Sequence, residues 1–183
     1  MRRALAVVLI VITACAGSDG DSGANGGLGF GVERPEDGGV AHLSPEEVEA
    51  ILNGEAEPPD YSSVPTTSGT HAPVPAPCGI YREEIPEIFT VHTLEHGAVI
   101  VNYQPDQVDG AVLGEVEQLA RTMATHIIVA PFAEMPTPVA LVAWGQLAAR
   151  PSLEVEEVRS FWAEYAQRGP ESGVRCPVEV DQA

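Results

Sequence analysis

Apolar positions along this chain fall into short continuous runs and longer periodic ones, and the order of the two outlines a fold. Gly97 to Tyr103, "GAVIVNY", is apolar at nearly every position and rich in β-branched residues, which predicts a buried strand. From Gln107 to Ala124 the period changes. Val108, Val112, Val116, Leu119 and Met123 recur at intervals of four and three, as on one face of a helix. Two more strands are predicted at His126 to Phe132 and Val139 to Trp144, joined by the proline-bearing "AEMPTP". A last helix is predicted with Ser152 as its cap, Val155, Val158, Phe161, Trp162 and Tyr165 on one face, and Gly169-Pro170 as its stop. This strand–helix–strand–strand–helix order predicts an α+β domain in which helices cover a small mixed sheet. A helix between the first two strands implies that they run parallel, with the third antiparallel. About 100 residues suffice for one such core.

Upstream the pattern thins. "LSPEEVEAILNGE" predicts a short helix, with Ser44 as cap, Pro45 in the first turn, Glu47 completing a capping box and Gly54 ending it. Residues 57–79 hold many prolines, so neither regular helix nor central strand is expected there. An extended segment on the domain surface, turning at Ser68-Gly69, is the expectation. "GSDGDSGANGGLGFG" has little to bury and reads as a flexible tether. The first residues combine Arg2 and Arg3, an apolar stretch from Ala4 to Ile12, and small residues before Cys15. That order is a signal peptide, too short to span a membrane in the mature protein. Ile12-Thr13-Ala14-Cys15 resembles the lipobox of bacterial lipoproteins, which implies cleavage before Cys15 and its acylation. The expected organisation is a signal peptide (1–14), a tether (15–39), a short helix with the proline-rich segment (40–78), the α+β domain (79–176) and a tail (177–183). A lipid-anchored protein on the extracytoplasmic face of the cell membrane is the expected location.

Composition narrows the partners. The chain carries a formal charge of −18 and its nine basic residues are all arginine. So acidic a chain repels nucleic acid and anionic lipid headgroups, which leaves the lipid itself and an envelope protein as candidate partners. Cys78 and Cys176 remain outside the lipobox and pair most economically as a disulfide in an oxidising compartment, with a two-cysteine metal site as the competing reading.

Three stretches, "TSGTHAPVPAPCGIY", "VHTLEHGAVIVNY" and "VALVAWG", together resemble a bacterial family known as the domain of unknown function 3105 family. Its members typically show a Thr-Ser-Gly-x-His loop, a Val-His-Ser-Leu-Glu-His-Gly core, an Ala-Trp-Gly strand end and a Gly-Pro after the last helix. The resemblance runs from about Pro65 to Cys176, with Thr93 in place of the usual serine and Thr70 where proline is common. It implies a secreted or membrane-attached domain and no established activity, so the chemistry rests on the residues.

His92 and His96 stand four apart and face one way on a helical turn, as a chelating pair must. His71, in the proline-rich segment, is the candidate third ligand, and Glu95 the carboxylate that orients an imidazole from behind. Three neutral imidazoles suit zinc or copper, with Met135 as a soft axial ligand for the latter, and a small ligand is the other candidate occupant of the cluster. Against this stands a purely structural polar network in which the same side chains hold an irregular segment by hydrogen bonds. A metal-dependent hydrolase is the third alternative. His-x-x-Glu-His is the spelling of an inverted zinc-peptidase helix, but Gly97 and the strand after it leave no room for a sustained helix. "HTLEH" therefore reads as a polar turn at the mouth of the sheet. His42 is expected to be solvated, His126 to be a satisfied boundary residue, and Tyr81 and Tyr103 to pack at the sheet end.

Overall fold

The computed structural model describes residues 31–123 and 125–176. The expected signal peptide, Cys15, the expected tether as far as residue 30 and the tail lie outside the described residues. In chain order the elements are α1 (Pro45–Leu52), β1 (Gly79–Ile80), α2 (Glu87–Glu95), β2 (Val99–Tyr103), α3 (Gly110–Met123), β3 (Ile127–Pro131), β4 (Val139–Ala143), β5 (Gln146–Arg150) and α4 (Val155–Tyr165). The fold is α+β, as the pattern of runs predicts. Among the described residues, no helix is long and apolar enough to cross a membrane.

The five strands form one mixed sheet in the order β1-β3-β2-β4-β5. β2 and β3 are parallel, across the helix that joins them, and β4 is antiparallel to β2. Because side chains alternate along a strand, the sheet buries two different faces. Val99, Val101, Val129, Val139 and Leu141 point to one face, where α3 and α4 bring Val116, Leu119, Val158 and Phe161. Ile100, Ile128, Ala140 and Val142 point to the other, where they meet Leu94 of α2, Ala76, Met135 and both cysteines.

That second face overturns the expectation for the proline-rich segment. Residues 65–69, His71, Ala72, Ala76 and Cys78 are buried, so the segment forms a covering layer of the core instead of lying on the surface. Proline prevents it from joining the sheet, and its main chain pairs with α2 instead. Ala72 N–H donates to the Ile88 carbonyl (2.9 Å) and Ala76 N–H to that of Phe89 (3.2 Å). The Thr93 hydroxyl donates to the Ala76 carbonyl at 2.8 Å, a bond that serine would also make.

The "polar turn" is likewise corrected. "HTLEH" closes a nine-residue helix, α2, with His96 as its C-cap. Gly97 then reverses the chain at φ +84°, a conformation that favours glycine, and β2 follows. Two other boundaries shift. Asp109 Oδ1 accepts from the N–H groups of Ala111 (2.8 Å) and Val112 (3.3 Å), so α3 starts at Gly110 and not at Gln107. Ser152 does not cap α4: its hydroxyl donates to Glu154 Oε1 at 3.1 Å, and the helix begins at Val155.

Gly169-Pro170 has a different task from stopping a helix, because α4 has already ended at Tyr165. A Cβ on Gly169 would sit 2.1 Å from the Glu95 carbonyl oxygen, and one on Gly97 would sit 2.7 Å from Gln167 Cα. The two glycines let the chain after α4 lie backbone against backbone on the end of α2. Gln167 N–H donates to the Gly97 carbonyl (2.6 Å) and Glu171 N–H to that of Glu95 (3.0 Å). The Cys78–Cys176 disulfide, with Cα atoms 5.7 Å apart, closes the same side of the molecule.

Candidate functional site

The end of α2, the segment around His71 and the N-terminal stretch converge on one cluster of imidazoles. The segment at 41–43 runs beside 70–72 as a bridge of His42 with His71, with His71 N–H donating to the Ala41 carbonyl (2.9 Å). This brings the His42 ring to 4.6 Å from that of His71 and 5.1 Å from that of His92. His42 is solvated as expected, its side chain 43% exposed, but it is also a member of the cluster.

Each buried ring is fixed by one nitrogen. His71 Nδ1 donates to the Gly69 carbonyl and His92 Nδ1 to the Ala72 carbonyl, both at 2.7 Å. A carbonyl can only accept, so both Nδ1 atoms carry hydrogen and both Nε2 atoms keep a lone pair when the rings are neutral. His71 Nε2 lies 3.0 Å from Glu95 Oε2, and His42 Nε2 lies 3.8 Å from the same oxygen. A lone pair and a carboxylate at 3.0 Å repel unless a proton or a cation stands between them. Burial is the main force holding His71 below its usual range, with the Gly69 hydrogen bond and the Glu95 charge pulling the other way.

One ligand atom from each of His42, His71, His92 and Glu95 lies within 4.8 Å of the others. Tetrahedral coordination at about 2.0 to 2.1 Å requires ligand atoms about 3.3 to 3.4 Å apart, and the His71 and His42 nitrogens, 3.0 and 3.8 Å from Glu95 Oε2, bracket that spacing. Half-exposed His42 is the member with room to move. The carboxylate of Glu95 thus stands among the imidazoles and not behind them.

His96 belongs to a neighbouring group. Its Nε2 is 3.1 Å from His92 Nε2 and 3.3 Å from Glu171 Oε2, and one ligand atom from each of the three residues lies within 4.8 Å of the others. Burial, and next the adjacent His92, hold His96 below its usual range, while Glu171 and Glu95 pull it up. Its Nδ1 is buried without a hydrogen-bond partner. Glu171 is brought here by the packing of Gly169 on α2, and nothing in the local sequence pattern singled it out.

The remaining candidates lie elsewhere. Met135 packs in the apolar cluster of the second face. Tyr103 faces α3 and α4, and the Tyr81 hydroxyl donates to the Pro77 carbonyl at 2.6 Å. His126 precedes β3 at φ 52° and donates from Nε2 to the Val174 carbonyl (3.1 Å), tying the C-terminal segment to the sheet. The Trp144 and His71 rings stand nearly perpendicular, at 84°, with centroids 6.4 Å apart.

No curated protein and no solved structure matches the chain. A family model does, over residues 54–178, and its description is "Protein of unknown function (DUF3105)". His71, His92, Glu95, His96, Glu171 and both disulfide cysteines fall inside the matched span, and His42 lies before it. With more than half its length matched by that model, the chain belongs to the DUF3105 family.

Proposed function

We propose that this domain binds one divalent transition-metal ion, zinc or copper, through His42, His71, His92 and Glu95. The observation that carries the reading is the fixing of both Nδ1 atoms by main-chain carbonyls. Metal-binding histidines are typically oriented in this way, with the other nitrogen free to coordinate. Three imidazoles and one carboxylate satisfy zinc, and copper(II) accepts the same donors.

The domain is further proposed to be an extracytoplasmic lipoprotein held to the membrane through Cys15. Arg2, Arg3, the apolar stretch and Ile12-Thr13-Ala14-Cys15 support this, and a disulfide supports an oxidising compartment. Cys15→Ala is expected to move the protein from the membrane fraction to the soluble one, and its retention on membranes would overturn the anchor.

Calorimetry with zinc and with copper(II) on the purified chain tests the site. About one equivalent is expected, with His42→Ala weakening affinity by about 10-fold or more. Absence of uptake would overturn the proposal.

One observation favours a second reading, a non-enzymatic envelope module with a structural polar network. The His71–Glu95 pair can be satisfied by a proton alone, since an imidazolium would donate from Nε2 to the carboxylate. In that case chelation leaves the melting temperature unchanged, and His92→Ala lowers it equally with and without metal. At a metal concentration 100 times Kd, a bound ion would add about 2.7 kcal/mol. The hydrolase reading is the weakest, because Glu95, the general base in that scheme, is already engaged by His71.

A further inference from the structure

The two groups of candidate ligands share His92, and that sharing has a chemical consequence. His92 Nδ1 is committed to the Ala72 carbonyl, so the ring has one nitrogen to give. A single lone pair serves one ion at a time. We propose that His92, His96 and Glu171 form a second, outer position for the same cation, occupied in alternation with the inner one. The outer position serves as the point through which the ion enters and leaves. This inference rests on the metal-binding reading above.

The placement of the groups supports an order of events. Glu171 is half exposed while His96 and His92 are buried, and His71 and Glu95 lie deeper still. A hydrated divalent ion meets the carboxylate first, on a chain whose formal charge of −18 attracts cations. His96 Nε2 stands 3.3 Å from Glu171 Oε2 and 3.1 Å from His92 Nε2, so one imidazole bridges the entry carboxylate and the shared ring. From there the ion exchanges Glu171 and His96 for His71, Glu95 and His42 while the His92 nitrogen stays attached. Two protein ligands give way to three, so one bound water leaves the ion as well; a proton held between His71 and Glu95 is released to solvent as the ion arrives, and no oxidation is required.

The outer set is two histidines and one carboxylate on a half-open surface, which leaves coordination positions for water or for a small carrier's ligands. The inner set has four protein ligands and suits retention. Backbone packing fixes the relation between the two, since the Glu171 N–H donates to the Glu95 carbonyl at 3.0 Å. Glu95 supplies the inner position with its side chain, and its main chain positions the outer one.

The test compares the parent chain, Glu171→Gln and His42→Ala, using zinc with a chromophoric chelator in stopped flow and by equilibrium competition. Glu171 is at the surface, so its amide variant keeps the fold. The parent is expected to bind one equivalent and not two. Glu171→Gln is expected to slow both uptake and chelator-driven release by about tenfold, leaving the dissociation constant unchanged. His42→Ala is expected to weaken the dissociation constant instead. Unchanged rates in Glu171→Gln with normal uptake would show entry past His42 and overturn the outer position alone. Two equivalents in the parent would overturn alternation, and no uptake by the parent would remove the metal-binding reading itself.

Discussion

Gly169→Ala offers the sharpest test of how the site is assembled. The φ of Gly169 is one that any residue adopts, so the substitution probes the close approach of two backbones and nothing else. The added methyl would stand 2.1 Å from the Glu95 carbonyl oxygen and 2.6 Å from both the Gly97 nitrogen and the Leu94 oxygen. All three are main-chain atoms that no rotamer change can remove. The segment 167–171 must therefore move away from α2, which forfeits the bonds from Gln167 to Gly97 and from Glu171 to Glu95. Two such bonds contribute about 1 kcal/mol each, and forced overpacking costs about 1 to 3 kcal/mol more. The expected loss is about 3 to 5 kcal/mol. In urea, with a slope of about 2 kcal/mol/M, the midpoint should fall by roughly 2 M. Gly114→Ala is the control, at an exposed position of α3 with open space at its Cβ, and should stabilise by about 0.5 to 1 kcal/mol. A Gly169→Ala protein within about 0.5 kcal/mol of the parent would refute the close-packing argument.

Reduction of the Cys78–Cys176 disulfide releases a loop of 98 residues and should destabilise by about 4 to 5 kcal/mol on loop-entropy grounds. An unchanged denaturation midpoint in reductant would contradict that. Glu117 is held below the usual carboxylate range, first by its hydrogen bonds from Arg82. Its contribution to stability is then full above its ordinary value of 4.5 and is lost as the pH falls through the lower folded value. Arg82→Gln should accordingly cost about 1 kcal/mol near neutral pH, and the gap from the parent should close in acid titrations monitored by circular dichroism. A gap that persisted in acid would point to packing instead of charge.

Where burial was one-sided, the sequence was legible. α3 and α4 each bury one stripe, so Val116, Leu119, Val158 and Phe161 recur at helical spacing. α2 was missed for the opposite reason. Seven of its nine residues are buried, on every side, so no polar stripe marks the period. β5 was missed because it is a half-buried edge strand, though Trp144-Gly145 between paired Ala143 and Gln146 is a two-residue hairpin signal. His71, His92, Glu95 and His96 are all found at the end of α2, but in two groups instead of one. His42 and Glu171 could not be read locally, because each reaches the cluster by main-chain pairing with distant residues. For Glu171 the one available signal was Gly169, whose missing side chain marks a close approach.

The disulfide also divides the molecule under mechanical load. Residues 78 to 176 form a covalent ring, and no pull on the chain ends can draw that ring out to full length. Tension from the N-terminal side meets the pairing of Glu33 with Leu147 first, two hydrogen bonds at the sheet edge, and then the pairing of His42 with His71. Both of those histidines precede Cys78, whereas His92, Glu95, His96 and Glu171 lie within the ring. A pull that opens this pairing therefore withdraws His42 from the proposed ligand set first, while His71 stays with the buried segment that Ala72 bonds to α2, and His42 can return when the force is released.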